Sequence, residues 1–314
     1  RDPEMSRGLG DVYKRQISCL SFLEEEEMLF DIISIICIFA LICLCAVLIE
    51  SRRENHMLSV SHYTITDKRI KKSATFAMIA DLHNAEFGDK NEELIKEIKK
   101  IAPDAVLIAG DVIVGKKDVG SGVAIDLLQK LGSEFPVYIS KGNHEMRTSL
   151  YTEQYGDIWE NLYEQTKDYV QWLINEEMIL TSENIRVVGL DMDAAYYRRF
   201  RLMKMETDYL VELLPTRHQD AYTILLAHNP DYFSVYAEWG ADLVLSGHVH
   251  GGMIILPFFG GVISPMVRLF PKYYRGMYEY RNKKMILTGG LGGHTLKFRV
   301  NNKPEICVIH LEGE

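Results

Sequence analysis

The sequence repeatedly places a block of metal-capable side chains directly after a short apolar run of strand length. Continuous apolar runs of this kind are typical of strands that are buried on both faces. The carboxyl ends of neighbouring parallel strands meet at one edge of a sheet, where open α/β sheets bind their ligands. The sequence therefore predicts an α/β fold with a single site at that edge. The blocks are Asp81-Leu82-His83, Gly110-Asp111, Gly142-Asn143-His144-Glu145, His228-Asn229-Pro230 and His248-Val249-His250.

The body of the chain, residues 59–314, alternates strand and helix patterns. Asn91–Ile101 carries its apolar side chains on one face and is predicted to be a helix, as is the longer segment Asp157–Glu176. No linker or repeat interrupts the body, so we predict one domain in which helices cover both faces of the sheet structure. The predicted strands are Thr75–Ala80, Ala105–Ala109, Val137–Ser140, Ile185–Leu190, Tyr222–Ala227, Asp242–Leu245, Met285–Thr288 and Ile306–His310.

Two of the blocks hold candidate ligands two residues apart, Asp81 with His83 and His248 with His250. Alternate residues of an extended segment point the same way, so each pair can face one point. A single motif with two such residues is more often part of a turn or a helix cap than a metal site. The ordered set of blocks is the strong signal, because chance rarely places such blocks at successive strand ends.

An apolar run near the N-terminus predicts one membrane-spanning helix. Residues 32–49 carry no charge, and Met28–Ile49 contains only Asp31, which matches the ~20 residues that cross a bilayer as a helix. A cleaved signal peptide and a buried core helix are the alternatives. The predicted organisation is a leader at 1–27, the transmembrane helix at 28–50, a juxtamembrane linker at 51–58 and the body at 59–314.

The leader and the flanking charges leave the side of the membrane open. Residues 1–16 resemble a translated adaptor fragment, and we expect them not to be native. Arg52 and Arg53 follow the apolar run and Glu24–Glu27 precede it, which by the positive-inside rule would keep the body in the cytoplasm. Basic residues within the leader would oppose this orientation only if the leader were native.

The bulk charge and the cysteines exclude some functions. A net charge of -9 argues against broad affinity for nucleic acid, which needs clustered lysine and arginine. It does not argue against a phosphate substrate, because bound metal ions can invert the local field. Only Cys307 lies in the body, since the other cysteines belong to the leader and the apolar run. A disulfide framework is therefore not expected.

The ordered motifs D-x-H, G-D, G-N-H-E, H and G-H-x-H resemble those of the calcineurin-like metallophosphoesterase family, from Asp81 to His250. The resemblance implies a four-layer α/β/β/α sandwich, preceded here by one transmembrane helix. Flanking segments are similar to a functionally mixed, membrane-anchored bacterial branch that includes phosphoesterases acting on UDP-2,3-diacylglucosamine in lipid A biosynthesis. These segments are DLHNAEFG at 81–88, SGHVHGG at 246–252, LPFFGG at 256–261, FPKYYRGMY at 270–278 and RVNNKPEI at 299–306.

The resemblance also implies a pair of metal ions. Oxygen and imidazole donors without thiolate suit Mn, Fe or Zn. Such a pair would hold a shared hydroxide that attacks phosphorus. His144 would protonate the departing oxygen or stabilise the charge of the transition state. In the implied ligand set, Asp81, His83 and His250 hold one ion, Asn143, His228 and His248 hold the other, and Asp111 bridges both.

The sequence departs from the branch where Met253 and Ile255 replace the usual glutamine and arginine. Met253 cannot supply the hydrogen bonds of a glutamine, so the substrate contacts near His250 are expected to differ. The segment Met253–Tyr280 is rich in aromatic and aliphatic residues. Our hypothesis is an apolar rim for a lipid-bearing phosphate, and the alternative is an aromatic hairpin packed on its own domain. The predicted substrate contacts are Arg268, Lys272, Arg275 and, in a glycine-rich loop, His294.

Other functions fit parts of the chain less well. Gly110–Lys116 matches G-x-x-x-x-G-K, but Lys117 replaces the Mg²⁺-binding hydroxyl and Asp111 would put a negative charge into the phosphate cradle. No H-E-x-x-H motif of a zinc protease is present. A phosphodiesterase or phosphatase for a soluble substrate, and a catalytically inactive, membrane-tethered metal-binding protein, stay open as alternatives.

Overall fold

A computed structural model describes residues 3–198, 202–216, 218–265, 267–293 and 298–314, with side chains from residue 28 onward. The chain divides into two compact units, Arg1–Glu50 and Ser51–Glu314. The helices are α1 (Pro3–Glu54), α2 (Glu92–Ile101), α3 (Gly122–Gly132), α4 (Asn143–Leu150), α5 (Thr152–Tyr155), α6 (Ile158–Thr166), α7 (Thr207–Leu213) and α8 (Phe233–Trp239). Short 3-10 turns occupy Asp89–Asn91, Ala194–Tyr197, Pro230–Tyr232 and His250–Gly252.

The described residues of the first unit, 3–50, are helical. Within α1, the stretch Met28–Glu54 is long and apolar enough to cross a membrane, with a mean hydropathy of 3.3 in its most apolar window. The apolar side chains between Met28 and Ile49 are exposed, as expected for a helix that is not part of a protein core. It lies near the N-terminus, where signal sequences have the same length and composition.

The second unit contains two six-stranded sheets. In the first, β2 to β5 are parallel, and the last strand of the chain lies between β1 and β2. In the second, β7, β8, β9 and β13 are parallel and the two edge strands are antiparallel. The strands are β1 (Ser59–Thr66), β2 (Ala74–Ile79), β3 (Ala105–Ala109), β4 (Val137–Ser140), β5 (Gln171–Trp172), β6 (Glu177–Leu180), β7 (Ile185–Gly189), β8 (Tyr222–Leu226), β9 (Leu243–Ser246), β10 (Ile255–Leu256), β11 (Gly260–Gly261), β12 (Gly276–Tyr280), β13 (Lys283–Leu287) and β14 (Glu305–Glu312). The sheet orders are β1-β14-β2-β3-β4-β5 and β12-β13-β9-β8-β7-β6.

The two sheets pack face to face, and helices cover their outer faces. Phe76 and Leu107 of the first sheet share a buried cluster with Ile224 and Leu245 of the second. Alternate residues of the same strands turn outward, where they pack against helices α2 and α3 on one side and α7 and α8 on the other. Each buried leucine or isoleucine contributes about 1.5–3 kcal/mol by leaving water. The predicted four-layer α/β/β/α sandwich is confirmed.

The predicted helix Asp157–Glu176 is wrong in its second half. Helix α6 ends at Thr166, and Gln171–Trp172 forms a short strand at the edge of the first sheet. The Trp172 indole N–H donates to Thr166 Oγ1 at 3.0 Å, and its ring packs edge-on against Trp159 at 4.9 Å. Pairing with β4 and burial of the indole outweigh the helical continuation, as tertiary contacts commonly do.

Candidate metal centre

The candidate ligands lie beyond the carboxyl ends of neighbouring parallel strands. In the first sheet they follow β2, β3 and β4, and in the second they follow β8 and β9, so the two sheets present them to one region between their edges. Ligand side chains from both sheets are in contact: the Nε2 atoms of His83 and His250 lie 3.1 Å apart. All of the predicted ligands are buried: Asp81, His83, Asp111, Asn143, His228, His248 and His250.

Backbone carbonyl groups fix the proton position on three of these histidines. The Nδ1 atom of His83 lies 3.1 Å from Ile113 O, that of His228 lies 2.6 Å from Ala109 O, and that of His250 lies 3.0 Å from Gly292 O. A carbonyl oxygen can only accept, so each Nδ1 must carry a hydrogen. In the neutral ring, Nε2 then carries the lone pair, which is the arrangement of a metal-binding histidine.

The Nε2 atoms of these histidines lie close to one another or to a carboxylate oxygen. His83 Nε2 and His250 Nε2 are 3.1 Å apart, and His228 Nε2 is 2.9 Å from Asp111 Oδ2. Asn143 Oδ1 is buried without a hydrogen-bond partner. Buried polar atoms are rarely left unpaired, and ligands of one ion at about 2.0–2.2 Å lie at such mutual distances. The residues therefore fit bound metal ions.

The ligand atoms form two groups that Asp111 connects. Atoms of Asp81, His83 and His250 lie within 4.8 Å of one another, as do those of Asp111, His228 and His248. Asp111 Oδ2 is 2.9 Å from His228 Nε2 in its own group and 3.8 Å from His83 Nε2 in the other. This cluster of aspartate and histidine is suited to a binuclear metal centre with a shared carboxylate.

Burial keeps the rings of His248 and His250 in the neutral form, which is the form of histidine that binds metal. It lowers the pKa of His250 to about 3 and that of His248 well below its usual range. Burial also raises the pKa of Asp81 to about 6. Although burial opposes it, the neighbouring charge of His228 holds the pKa of Asp111 well below its usual range. Asp111 is therefore the permanent negative charge of the site.

His144 has the opposite proton position from the three histidines above. The backbone N–H of Gly115 donates to His144 Nδ1 at 2.8 Å, so Nδ1 carries the lone pair. The neutral ring then has its hydrogen on Nε2, which lies 4.0 Å from Asp111 Oδ2. His144 is close enough to His83 and Asp111 to be grouped with them as a ligand. Its Nε2–H makes it a hydrogen-bond donor toward the centre instead.

The backbone at the ligands is held in an unusual conformation. Five of the candidate ligands have a positive φ, which places them in the left-handed region of backbone conformation. Left-handed conformations cost free energy in non-glycine residues and cluster at functional sites. Gly142 and Gly247 allow close approach, because a Cβ there would lie 2.2 Å from Asp111 Oδ1 and 2.6 Å from Asp81 Oδ2. The ligands with positive φ are Asp81 (53°), His83 (47°), Asp111 (55°), His248 (76°) and His250 (49°).

Two residues with no predicted role also contact the centre. The Glu145 carboxylate accepts the backbone N–H groups of Asp111, Ile113 and Gly142 at 2.8–3.1 Å, and burial raises its pKa to about 7. It joins the loops after β3 and β4. The buried ring of Tyr197 packs edge-on against His248 at 5.5 Å between ring centroids. The G-N-H-E block pointed to Glu145, whereas no sequence pattern pointed to Tyr197.

The predicted substrate-binding residues lie in the segment after the metal loop. Arg268 forms an ion pair with Asp231. The Lys272 ammonium lies 4.7 Å from the centroid of the Tyr273 ring. The Arg275 guanidinium pairs with buried Glu305 at 2.8 Å, which ties it to β14. His294 lies outside the described residues. Their role in binding substrate stays a prediction.

Metal affinity is expected to rise with pH. When no metal ion is bound, the carboxylates of Asp111 and Asp81 outweigh the effect of burial and raise the pKa of His228 to about 9. A metal ion has to displace that proton at any pH below about 9, so protonation lowers the apparent affinity there. We expect the Mn²⁺ affinity to rise about tenfold per pH unit between about pH 6.5 and 8.5, measured by calorimetry of the full-length chain.

Calorimetry in buffers of different ionisation enthalpy would count the protons released on metal binding. His218→Gln is the control, because His218 is half exposed and stands outside the centre. It should leave the pH profile unchanged. A flat profile, or binding without proton release at about pH 7, would show that His228 is already deprotonated before the metal binds.

Two packed sheets with a buried aspartate–histidine centre suited to two metal ions define a metal-dependent hydrolase. Residues 74–252, more than half of the chain, match the family of the Calcineurin-like phosphoesterase. The chain belongs to this family and is a hydrolase acting on phosphoester bonds. The resemblance carried by the D-x-H, G-D, G-N-H-E and G-H-x-H motifs is thereby confirmed.

Several curated proteins are similar over most of their length. The chain is 28% identical over 274 residues to the uncharacterized metallophosphoesterase YkuE of Bacillus subtilis, covering 82% of this chain and 87% of the relative. It is 25% identical over 239 residues to the phosphodiesterase YaeI of Escherichia coli, covering 74% and 80%. It is 23% identical over 278 residues to the UDP-2,3-diacylglucosamine pyrophosphatase LpxG of Chlamydia muridarum, covering 74% and 81%.

Proposed function

We propose that this chain is a membrane-anchored phosphoesterase that hydrolyses a phosphate ester or diphosphate bond in a lipid-linked substrate such as UDP-2,3-diacylglucosamine. The observation that carries the lipid-linked substrate is an exposed apolar surface that begins directly after the metal loop. The candidate membrane helix, Met28–Glu54, would hold the domain at a bilayer where such substrates are found. The similarity to LpxG supports the diphosphate, and the similarity to YaeI supports a diester.

The exposed apolar surface is built on the β10–β11 hairpin and on Leu269 and Phe270, which follow it in the sequence. Phe258 at the hairpin tip is fully exposed and Phe259 is 73% exposed, with Leu269 and Phe270 also exposed. The hairpin begins five residues after His250, and Ile254 pairs with Val300 at its base. Contiguous exposed apolar side chains of this kind mark sites of ligand or membrane contact. We infer that they contact the acyl chains of the substrate or the surrounding lipid.

Charged side chains flank this surface. Arg268 directly precedes Leu269 and Phe270, and Lys272 follows them before β12; both would contact a phosphate or sugar headgroup. Met253 and Ile255 stand at the base of the hairpin, so this part of the site offers apolar contact in place of hydrogen bonds. The proposal assigns headgroup recognition to the basic residues and acyl recognition to the phenylalanines.

The reaction requires a nucleophile, stabilisation of charge on phosphorus and a leaving group. Two bound Mn, Fe or Zn ions would supply an activated water and positive charge for the phosphoryl oxygens. Asp111 and the other six predicted ligands would hold these ions. The Nε2–H of His144 would donate to the developing charge on the phosphoryl or leaving oxygen, while Gly115 N–H holds the ring in this orientation.

Hydrolysis assays of the full-length chain in detergent with Mn²⁺ test the lipid-linked substrate. We expect kcat/KM for UDP-2,3-diacylglucosamine to exceed that for UDP-N-acetylglucosamine about 100-fold or more, because acyl methylenes are buried at ~0.8 kcal/mol each. Phe258→Ala and Phe259→Ala should raise KM for the diacyl substrate about tenfold and leave bis-p-nitrophenyl phosphate unaffected.

Val211→Ala is the matched control, because Val211 is an exposed apolar residue on α7. It should leave both substrates unaffected. Equal kcat/KM for the acylated and the unacylated substrate would refute the lipid-linked substrate. Preference for the soluble diester would instead identify the second candidate function, a phosphodiesterase for a soluble substrate.

A further inference from the structure

The last turn of α1 is packed into the catalytic unit. Ser51 and Glu54, which begin that unit, are each only 3% exposed, whereas Arg52 and Arg53 between them are exposed. Ser51 Oγ accepts the backbone N–H of Arg299 at 2.9 Å. Glu54 Oε2 accepts the backbone N–H of Asn302 at 3.0 Å. Two polar side chains of this turn thus form hydrogen bonds with one segment of the body, Arg299–Asn302.

That segment in turn holds the loop that carries His250. The side-chain amide of Asn302 donates to the backbone carbonyl of His250 at 2.7 Å. The contact is close, since a Cβ at Gly251 would lie 2.2 Å from Asn302 Oδ1. A short series of hydrogen bonds therefore leads from Glu54 through Asn302 to a metal ligand.

The guanidinium of Arg299 makes a second connection. It donates to the carbonyl oxygens of Gly289, Gly290, Gly292 and Asn302 at 2.8–3.1 Å. The carbonyl of Gly292 is also the group that fixes the His250 ring. The backbone N–H of Gly292 donates to the backbone carbonyl oxygen of Asp81 at 2.6 Å. The loop between β13 and β14 therefore reaches two predicted ligands of one metal ion, Asp81 and His250.

Arg299 is a buried cation that lies near several carboxylates. Burial lowers the pKa of Arg299 to about 10, and the carboxylates of Asp81, Glu305 and Glu54 act against that effect. A buried charge is costly unless carboxylates or dipoles surround it. Glu54 is therefore both a hydrogen-bond acceptor for Asn302 and part of the charge balance of Arg299.

We propose that the turn Ser51–Glu54 positions the metal centre: by holding Asn302 and Arg299, it orients His250 and the Gly289–Gly292 loop around one metal ion. Ser51 and Glu54 are positioning residues, since neither contacts a ligand side chain directly. The last four residues of the candidate membrane helix Met28–Glu54 then help to set the geometry of the metal centre. The inference rests on the metal-centre part of the proposed function and is independent of the lipid-linked substrate.

The test compares Glu54→Ala and Glu54→Gln with Arg52→Ala in the full-length chain in detergent. Arg52 is the matched control, because it is an exposed residue of the same turn. We expect Glu54→Ala to weaken one of two Mn²⁺ binding events about tenfold, as loss of a group that orients a ligand commonly does. The Glu54→Gln variant keeps a side-chain oxygen that can accept the Asn302 N–H, and it should restore most of the affinity.

Kinetics with bis-p-nitrophenyl phosphate add an independent readout. For Glu54→Ala, kcat should fall at limiting Mn²⁺ and recover at saturating Mn²⁺, while KM stays constant. Ser51→Ala, which removes the acceptor for Arg299 N–H, should behave in the same way and serves if Glu54→Ala does not fold.

The proposal is overturned if these variants unfold at a lower temperature but bind both Mn²⁺ ions with wild-type affinity, since the turn would then be only structural. A wild-type chain that binds no Mn²⁺ at all would overturn the proposed metal centre as well. Wild-type metal affinity combined with normal hydrolysis in Glu54→Ala would leave the proposed function intact and remove this inference alone.

Discussion

Replacing Asp111 with asparagine is expected to lower kcat/KM for any substrate about 1,000-fold or more, and to reduce the bound metal from two ions to at most one. The carboxylate lies 2.9 Å from His228 Nε2 and 3.8 Å from His83 Nε2, so it is the group that both predicted metal ions would share. An amide of the same shape has no charge to share, and the loss of one metal ion is worth several kcal/mol at the transition state. Steady-state kinetics and elemental analysis measure the two effects.

Asp118→Asn provides the control for this substitution. Asp118 is exposed in the loop after β3, seven residues beyond Asp111. Its replacement by asparagine removes the same negative charge as Asp111→Asn. It should retain full activity and two metal ions. An Asp111→Asn enzyme that keeps wild-type kcat would contradict the shared carboxylate and with it the proposed mechanism.

Replacing His144 with alanine should lower kcat about 10²–10⁴-fold while leaving the metal content unchanged. The hydrogen bond from Gly115 N–H occupies Nδ1, so the side chain presents its Nε2–H to the centre as a donor. A ligand would lose metal on substitution, whereas a donor would lose only turnover. Measurement of kcat together with bound metal therefore separates the two roles.

Two amide variants at position 144 test which ring nitrogen matters. The side-chain oxygen of His144→Asn can replace Nδ1 and accept the Gly115 N–H, but it leaves the Nε2 position empty. The amide nitrogen of His144→Gln can reach the Nε2 position and donate. We expect glutamine to recover about tenfold in kcat over alanine and asparagine to recover none. Equal activity of the two amides would show that the Nε2–H donor is not what catalysis requires.

The sequence predicted the sheet strands well where they are buried on both faces. Ala105–Ala109 and Val137–Ser140 have the predicted bounds, and every residue of both strands is buried. A strand covered on both sides has to be apolar throughout, so its limits appear directly in the sequence. The same reason explains the ligand blocks, because a chain that leaves a buried sheet turns at the point where polar residues begin.

Elements whose residues are half exposed gave no such pattern. Strand β1 alternates exposed residues with partly buried ones and buried Ile65, and it contains His62 and Thr64, so it shows no continuous apolar run. Helix α3 begins at a glycine and was not predicted. The predicted helix Asp157–Glu176 ran past the end of α6 through Trp172, whose burial against Trp159 is a contact between segments that no local pattern shows.

The sequence predicted candidate ligands that lie close together in the structure, but it did not predict the groups that orient them. Asp81 and His83 belong to one short motif two residues apart, although their positive φ values show that this segment is a turn and not the extended strand that the spacing suggested. The carbonyl of Gly292, the guanidinium of Arg299 and the ring of Tyr197 come from distant segments and act through backbone contacts or packing. Such contacts depend on the folded chain and leave no local pattern of residue types.

The place of β14 in the first sheet bears on when the protein can acquire its metal. This strand follows all of the predicted ligands in the sequence, yet it lies between β1 and β2. His83 and His250 are themselves 167 residues apart. Contacts over such separations form late, because the intervening chain must first be ordered. We therefore expect the first sheet, and with it the arrangement of the histidines and aspartates for metal binding, to be completed only after β14 has been synthesised.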